Sequence, residues 1–264
     1  AASDVYKRQV TGAADRLGKA MALHLADLGF NVVVHYMTSS DAAKEVVSLI
    51  KEKGRLAVSL QADLLDSSVV EKLIPEAVKR IGGNLNVLIN NASIFEYDNL
   101  DTASGESWKR HIGSNLQAPF FLTQEFARQA PNFDIDENNE PIARAVVINM
   151  IDQRVRKLNP EFMTYTIAKM GLWAFTQTAA QALAPKIRVN AIGPGPTLKG
   201  SRQSPEHFSK QRSETVLGRG SNSRDIVKAL EYIVKSPAIT GQIFCVDGGQ
   251  HLNWRTADVI GTEF

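Results

Sequence analysis

Tyr165 and Lys169 lie four residues apart in Tyr165-Thr166-Ile167-Ala168-Lys169. On a helix that spacing is about one turn, so both side chains face the same way. A phenol is a poor acid near neutral pH, with an unperturbed pKa of about 10. A neighbouring ammonium favours the phenolate and lowers that value. Such a pair could pass a proton to a substrate while a bound cofactor passes a hydride. By itself Tyr-x-x-x-Lys is more often a surface pair on a helix. Here it is joined by Asp152 upstream, a glycine turn from Thr11 to Gly18, Asn90-Asn91-Ala92-Ser93, Asn115 and Pro194-Gly195. These follow in an order that one fold would need.

The elements that must position these residues alternate along the chain. Strand-like runs are Asn31 to Tyr36, Leu56 to Leu60, Val87 to Asn90, Ala145 to Met150, Ile187 to Ala191 and Gln242 to Val246. Helical patterns lie between them: Leu17 to Leu28, Asp41 to Lys53, Ser67 to Ile81, Asn115 to Arg128, Thr164 to Leu183 and Arg224 to Lys235. Gly29 and Gly54 stand just past helices, where a left-handed cap is useful. The alternation predicts an α/β fold, a single-domain Rossmann-type doubly wound parallel sheet with helices on both faces. The chain of 264 residues is ample for one such domain. Two segments break the rhythm. The acidic stretch Pro131 to Pro141 predicts an exposed insertion. Gly193 to Arg212, rich in Pro, Ser and Gly, follows a strand where ligands bind in such sheets and predicts a mobile substrate lid.

The turn from Thr11 to Gly18 predicts a dinucleotide site. Gly12 allows the tight turn, Gly18 allows the helix to pack close to the sheet, and the helix N-terminus faces the pyrophosphate. An acid at the end of the second strand would select NAD by binding the ribose hydroxyls. The chain instead reads His35-Tyr36-Met37-Thr38-Ser39-Ser40. Ser39, Ser40 and Arg16 can serve a 2′-phosphate, which predicts NADPH as the cofactor. The alternative is that the serines only begin a helix, with Ser40 as its N-cap. Asp63 is placed either to accept from the adenine amine or to cap a local turn.

A central strand of a parallel sheet should be apolar throughout. The segment feeding the glycine turn reads Val5-Tyr6-Lys7-Arg8-Gln9-Val10. Asp4 to Gln9 also matches what the end of a common transposon-based sequencing adapter would encode in one frame. Residues 1–9 are therefore expected to be non-native, and the domain to run over 10–264. A genuine amphipathic edge strand is the competing reading. Net charge is +2, which leaves no nucleic-acid footprint. No apolar run is long enough for a bilayer and no signal peptide is visible, so a cytoplasmic enzyme is expected. The single cysteine, Cys245, sits in an apolar run and reads as a small buried hydrophobe.

From Val10 to Leu252 the motifs resemble those of the short-chain dehydrogenase/reductases. The likeness is strongest to the pteridine reductases and their bacterial dihydromonapterin/dihydrofolate reductase relatives. Arg16 stands at the middle glycine of the usual turn, Ser93 and Phe95 follow Asn-Asn-Ala, Gly113-Ser114-Asn115 opens a helix, and Asp152 replaces the usual catalytic serine. The resemblance implies that Tyr165 is the proton donor, Lys169 lowers its pKa and binds the nicotinamide ribose, and Asn115 supports a water chain. It implies that Asp152 orients or protonates a pterin, and that Phe95 stacks on the face opposite the nicotinamide. Arg16 and Ser93 would lie near the phosphates and the pterin edge. The expected cofactor contacts are Gly12, Arg16, Leu17, His35, Ser39, Ser40, Asp63, Leu64, Asn91, Ala92, Ser93, Tyr165, Lys169, Pro194, Gly195 and Thr197. A homotetramer built on the Asn115 and Tyr165 helices is also implied. Asp152 adds a chemical argument of its own. An ionised carboxylate only accepts hydrogen bonds and would repel an oxygen gaining negative charge, so it suits a heterocycle with N–H donors better than a ketone. The rival readings are a carbonyl or alcohol dehydrogenase with an unusual Asp152, and a non-catalytic NADP-binding scaffold or sensor. The retained Asn115, Tyr165 and Lys169 argue against the second rival.

Overall fold

The computed structural model describes residues 7–200 and 203–254. Its main sheet is built from β1 (Lys7–Val10), β2 (Asn31–Tyr36), β3 (Ala57–Gln61), β4 (Val87–Asn90), β7 (Ala145–Met150), β8 (Ile187–Pro194) and β9 (Ile243–Val246). The order is β3-β2-β1-β4-β7-β8-β9, and every pairing is parallel. The expected Rossmann-type sheet is the one observed. The strand order reverses between β1 and β4, and that switch point is where such sheets bind ligands.

Period-2 alternation decides which helices cover which face. Val32 and Val34 point into one layer, with Met21 and Leu25 of α1 (Arg16–Asp27), Val46 and Ile50 of α2 (Ser40–Glu52), and Leu230 and Ile233 of α8 (Ser223–Lys235). Val33 points the other way, into a layer with Leu73 and Ile74 of α3 (Ser67–Ile81) and Phe126 of α5 (Ala118–Gln129). Ala179 and Ala180 of α6 (Met163–Leu183) complete that layer. Each buried aliphatic side chain stabilises the fold by about 1.5–3 kcal/mol relative to exposure, which suffices to hold the strands in register.

Several expectations change in detail. Pro131 to Pro141 carries a two-stranded hairpin, β5 (Asp134–Ile135) against β6 (Pro141–Ile142). The helix expected to begin at Asn115 is divided: α4 (Gly105–Ile112), a π turn over Gly113–Gln117, then α5. The segment read as a lid contains α7 (Pro205–Ser213), capped by the Ser204 hydroxyl, while Ser201 and Arg202 lie outside the described residues. Ser40 is not an N-cap. Ser39 holds that position, without a side-chain hydrogen bond.

The sequence preceding the glycine turn lies partly outside the described residues, which begin at Lys7. β1 is no edge strand, for it pairs with β2 on one side and β4 on the other. Gln9 is fully buried in it, and neither polar atom of its amide has a hydrogen-bond partner. A paired strand with an unsatisfied amide is the conflict that an apolar central strand avoids. Among the described residues no helix is long and apolar enough to cross a membrane.

Candidate active site

The site gathers at the C-terminal ends of β1, β4, β7 and β8. Gly12 adopts φ +60°, and a Cβ there would meet Ala92 Cα at 3.1 Å. Gly18 is more constrained, since a Cβ would come within 2.0 Å of the Gly12 carbonyl oxygen. Gly12 therefore serves the tight turn as expected, while Gly18 makes room for the turn's own carbonyl and for the Asn91 side chain. Asn91 braces it from β4, its Nδ2 donating to the carbonyls of Thr11 at 2.9 Å and Gly12 at 3.1 Å. The Thr11 hydroxyl accepts from the amides of Asn91 and Ala92. Arg16 adopts φ +52°, the left-handed conformation that a glycine would take without strain.

Four expected cofactor contacts, His35, Thr197, Arg16 and Asp63, spend their side chains on the protein itself. His35 is buried beneath the turn. Its Nδ1 accepts from Gly12 N–H at 3.0 Å, so its Nε2–H donates to the Ala62 carbonyl at 3.1 Å. Both ring nitrogens are spent on bracing, and burial drives its pKa down to about 4. Thr197 is likewise turned inward, its hydroxyl held by the Gly195 carbonyl at 3.0 Å and Ser221 Oγ at 2.5 Å. The guanidinium of Arg16 donates to the carbonyls of Leu198 at 3.2 Å and Lys199 at 3.1 Å, which joins the turn to the segment after β8. Asp63 serves its local turn, accepting from Leu65 N–H at 2.9 Å. Leu17 packs against the core and Leu64 is buried in it. Gly195 backs onto Asp247, where a Cβ would come within 2.5 Å of the Asp247 side chain, and Pro194 ends β8.

A nicotinamide dinucleotide fits these residues. The backbone turn is tight, α1 begins directly behind it, and the exposed side chain of Ser39 and half-exposed one of Ser40 make no hydrogen bond of their own. No carboxylate stands between His35 and Ser40 to repel a 2′-phosphate.

The reacting groups lie beside that cradle. Tyr165 and Lys169 share one face of α6 and are both buried. The phenol of Tyr165 donates to Asp152 Oδ2 at 3.1 Å, and the other carboxylate oxygen accepts from Arg154 N–H at 2.8 Å. Lys169 Nζ donates to the Met150 carbonyl at 2.8 Å and stands 5.6 Å from the Tyr165 ring centre. The electrostatics correct one expectation. Burial and the Asp152 carboxylate push the Tyr165 phenol well above its ordinary value, so the ammonium does not win. Burial pushes Asp152 up as well, against the Arg154 amide and the nearby cations. Burial brings Lys169 down to about 8. Asp152 and Tyr165 thus both hold their protons more firmly than free side chains do.

Asn115 is not a helix cap. It lies in the π turn, with Oδ1 accepting from Ile94 N–H at 2.9 Å and Nδ2 donating to Ile94 O at 2.8 Å. Single π turns inside helices are frequent at functional sites. Phe95, the next residue, is 52 % exposed. Its ring stacks on Phe162 at 4.3 Å and 7°, and meets Tyr165 edge-on at 4.7 Å. Ser93 is exposed at the same mouth, its hydroxyl donating to the Ile94 carbonyl at 3.4 Å. Sequence reasoning missed Phe162 and Arg154, whose guanidinium sits 5.1 Å from the Phe162 ring centre. Neither belongs to a spaced motif, and only the fold brings them to the site.

Fold, cradle and tyrosine–lysine pair together define a nucleotide-dependent oxidoreductase site. The profile of the family described as "Enoyl-(Acyl carrier protein) reductase" matches residues 12–251. The chain belongs to the short-chain dehydrogenase/reductase family. It is similar to the 3-oxoacyl-[acyl-carrier-protein] reductase FabG of Staphylococcus aureus, 31% identical over 248 residues that cover 92% of this chain and 97% of that one. Among solved structures it is similar to FolM, alternative dihydrofolate reductase 1, from Brucella suis in complex with NADP. That likeness has 41% identity and a TM-score of 0.89, covering 96% of this chain and 98% of that chain. The angucycline C-6 ketoreductase LanV with bound NADP is 28% identical with a TM-score of 0.83, covering 94% of this chain and 96% of that one.

Proposed function

We propose that this NADP-dependent oxidoreductase reduces a dihydropterin or dihydrofolate. The observation that carries the reading is the Asp152–Tyr165 pair, joined at 3.1 Å, with Tyr165 buried and Asp152 half-buried beside the cradle. NADPH, when bound, supplies the hydride. Burial pushes the Asp152 carboxyl up, which favours the protonated form that can pass a proton to a ring nitrogen. The carboxylate left behind is stabilised by the Tyr165 hydroxyl and the Arg154 amide. In its ionised form the same carboxylate accepts from the amino and N–H groups of a pterin. Phe95 offers an exposed ring for a planar heterocycle, and Phe162 supports that ring from one face. The likeness to the Brucella suis dihydrofolate reductase supports the substrate class.

The described apolar residues Phe120 of α5 and Ile167 and Met170 of α6 are exposed. They support assembly of the chain as a homotetramer through those helices. The deciding experiment follows NADPH oxidation with dihydropterins, dihydrofolate and simple ketones under identical conditions. Turnover of a reduced pterin or folate with little ketone reduction is expected. Ready reduction of ketones, as in a 3-oxoacyl or polyketide reductase, with no reduced pterin accepted would overturn the reading and make Asp152 structural.

A further inference from the structure

Phe95 lies on a loop, and its two neighbours in the chain are each held by a side chain from the same helical run. Ile94 is gripped through both backbone polar atoms by Asn115. Glu96 donates its backbone N–H to His111 Nε2 at 3.1 Å. His111 is fully buried at the end of α4, four residues before Asn115.

The protons in this corner are ordered. A backbone N–H can only donate, so Nε2 of His111 is the bare nitrogen and Nδ1 carries the hydrogen. Nδ1–H then donates to Thr164 Oγ1 at 2.7 Å. The Thr164 hydroxyl in turn donates to Asp98 Oδ2, and Asp98 Oδ1 accepts from Thr164 N–H at 3.2 Å. Asp98 and Thr164 are buried at 2 % and 3 % exposure. The chain Glu96–His111–Thr164–Asp98 closes on itself, because Asp98 lies two residues beyond Glu96 and its carbonyl accepts from Phe162 N–H at 2.7 Å. Thr164 directly precedes Tyr165, and Phe162 is the ring on which Phe95 rests. His111, Thr164 and Asp98 are buried, so the bonds that join them are costly to lose.

We propose that His111 is a positioning residue. Through Glu96 on one side and Thr164–Asp98 on the other, it sets the height of the Phe95 ring relative to the Tyr165 hydroxyl, and so selects a flat substrate. The inference rests on the reading of Phe95 as a stacking platform.

The test is a double-mutant cycle between His111→Leu and Phe95→Ala, with a reduced pterin as substrate. Each single variant should raise KM about three- to tenfold, the range of one aromatic contact, with kcat and the NADPH dissociation constant nearly unchanged. In the Phe95→Ala background, His111→Leu should raise KM no further. His111→Gln, which keeps an acceptor for the Glu96 amide, should restore KM. Effects that add independently, or a joint loss of kcat and NADPH binding, would overturn the proposal in favour of a plain structural role. If the Leu variant does not fold, Thr164→Val enters the same cycle with the same expectations. Amide exchange needs no substrate and separates this proposal from the functional reading. His111→Leu should speed exchange at Glu96 and His111→Gln should not, whereas unchanged exchange in His111→Leu refutes the clamp even if no pterin is reduced.

Discussion

Replacing Asp152 by Asn changes the protonation chemistry of the site while keeping its shape. The carboxylate accepts from Arg154 N–H at 2.8 Å and from the Tyr165 hydroxyl at 3.1 Å. In Asp152→Asn the amide oxygen can keep only one of these roles, and the backbone N–H, fixed by the turn over Gln153–Arg156, holds it. The amide NH2 then faces the phenol, which must turn from donor to acceptor. The carboxyl proton is then gone from the pair, and only the phenol proton, held more firmly than in a free tyrosine, remains to be passed to a ring nitrogen. General acid catalysis is worth about a hundred- to ten-thousand-fold, or roughly 3–5 kcal/mol of barrier at ~1.4 kcal/mol per decade. A loss of kcat in that range is expected, with NADPH binding retained. The pH profile carries the sharper signature. Asp152 is pushed up by burial, so its protonated fraction, and kcat/KM for a reduced pterin, falls as pH rises through that raised value. Asp152→Asn should lose this limb of the profile. The assay is NADPH oxidation across pH for both proteins, and the reasoning is refuted if the variant keeps wild-type turnover with an unchanged profile. Asp152→Ser should also weaken pterin turnover while admitting carbonyl substrates, because a hydroxyl can donate to a carbonyl oxygen.

Tyr165→Phe removes the hydrogen bond to Asp152 and the phenol proton but leaves the cradle intact. It should bind NADPH normally and lose most turnover, and near-normal kcat would exclude Tyr165 from proton transfer. Ser39→Asp places a carboxylate at the end of β2, where the native hydroxyl is exposed and makes no hydrogen bond. It should shift preference from NADPH toward NADH, which comparative titration of the two dinucleotides measures. His35 is held near pKa 4 in the fold against an ordinary value of 6.5. Its neutral form is the folded one, so stability is complete above pH ~6.5 and declines as pH falls toward ~4. Two and a half pH units at ~1.4 kcal/mol each give a loss of about 3.5 kcal/mol, to be read from denaturant melts. The same slope in His35→Asn would assign it to another group. Gln9→Val replaces a buried amide whose polar atoms are unpaired. Relief of about 1–3 kcal/mol should raise the melting temperature by several degrees, and an unchanged value would show that the amide is satisfied.

Much of the frame is written locally in the sequence. Valine runs such as Val32-Val33-Val34 and the apolar stripe of Ser67–Ile81 carry their own period, so the strands, the helices and their alternation along the chain were legible. The glycine turn was legible because Gly12 and Gly18 meet constraints of the backbone itself. Elements without an apolar stripe were not. α7 buries none of its residues, and α4 is eight residues long and buries only His111, so neither carries a buried apolar stripe to read. Tyr165 and Lys169 were named by spacing, and Asn115 and Asp152 by resemblance, but their states were set by contacts between distant segments. Lys169 spends its ammonium on the Met150 carbonyl, and burial beside Asp152 raises the Tyr165 pKa instead of lowering it. His35 turns under the cofactor turn, and Arg16 reaches Leu198 and Lys199, more than 180 residues away in sequence. The chain order of side chains determines which groups are available. Which of them are desolvated, and which donor meets which acceptor, depends on packing that only the folded sheet and its helices create.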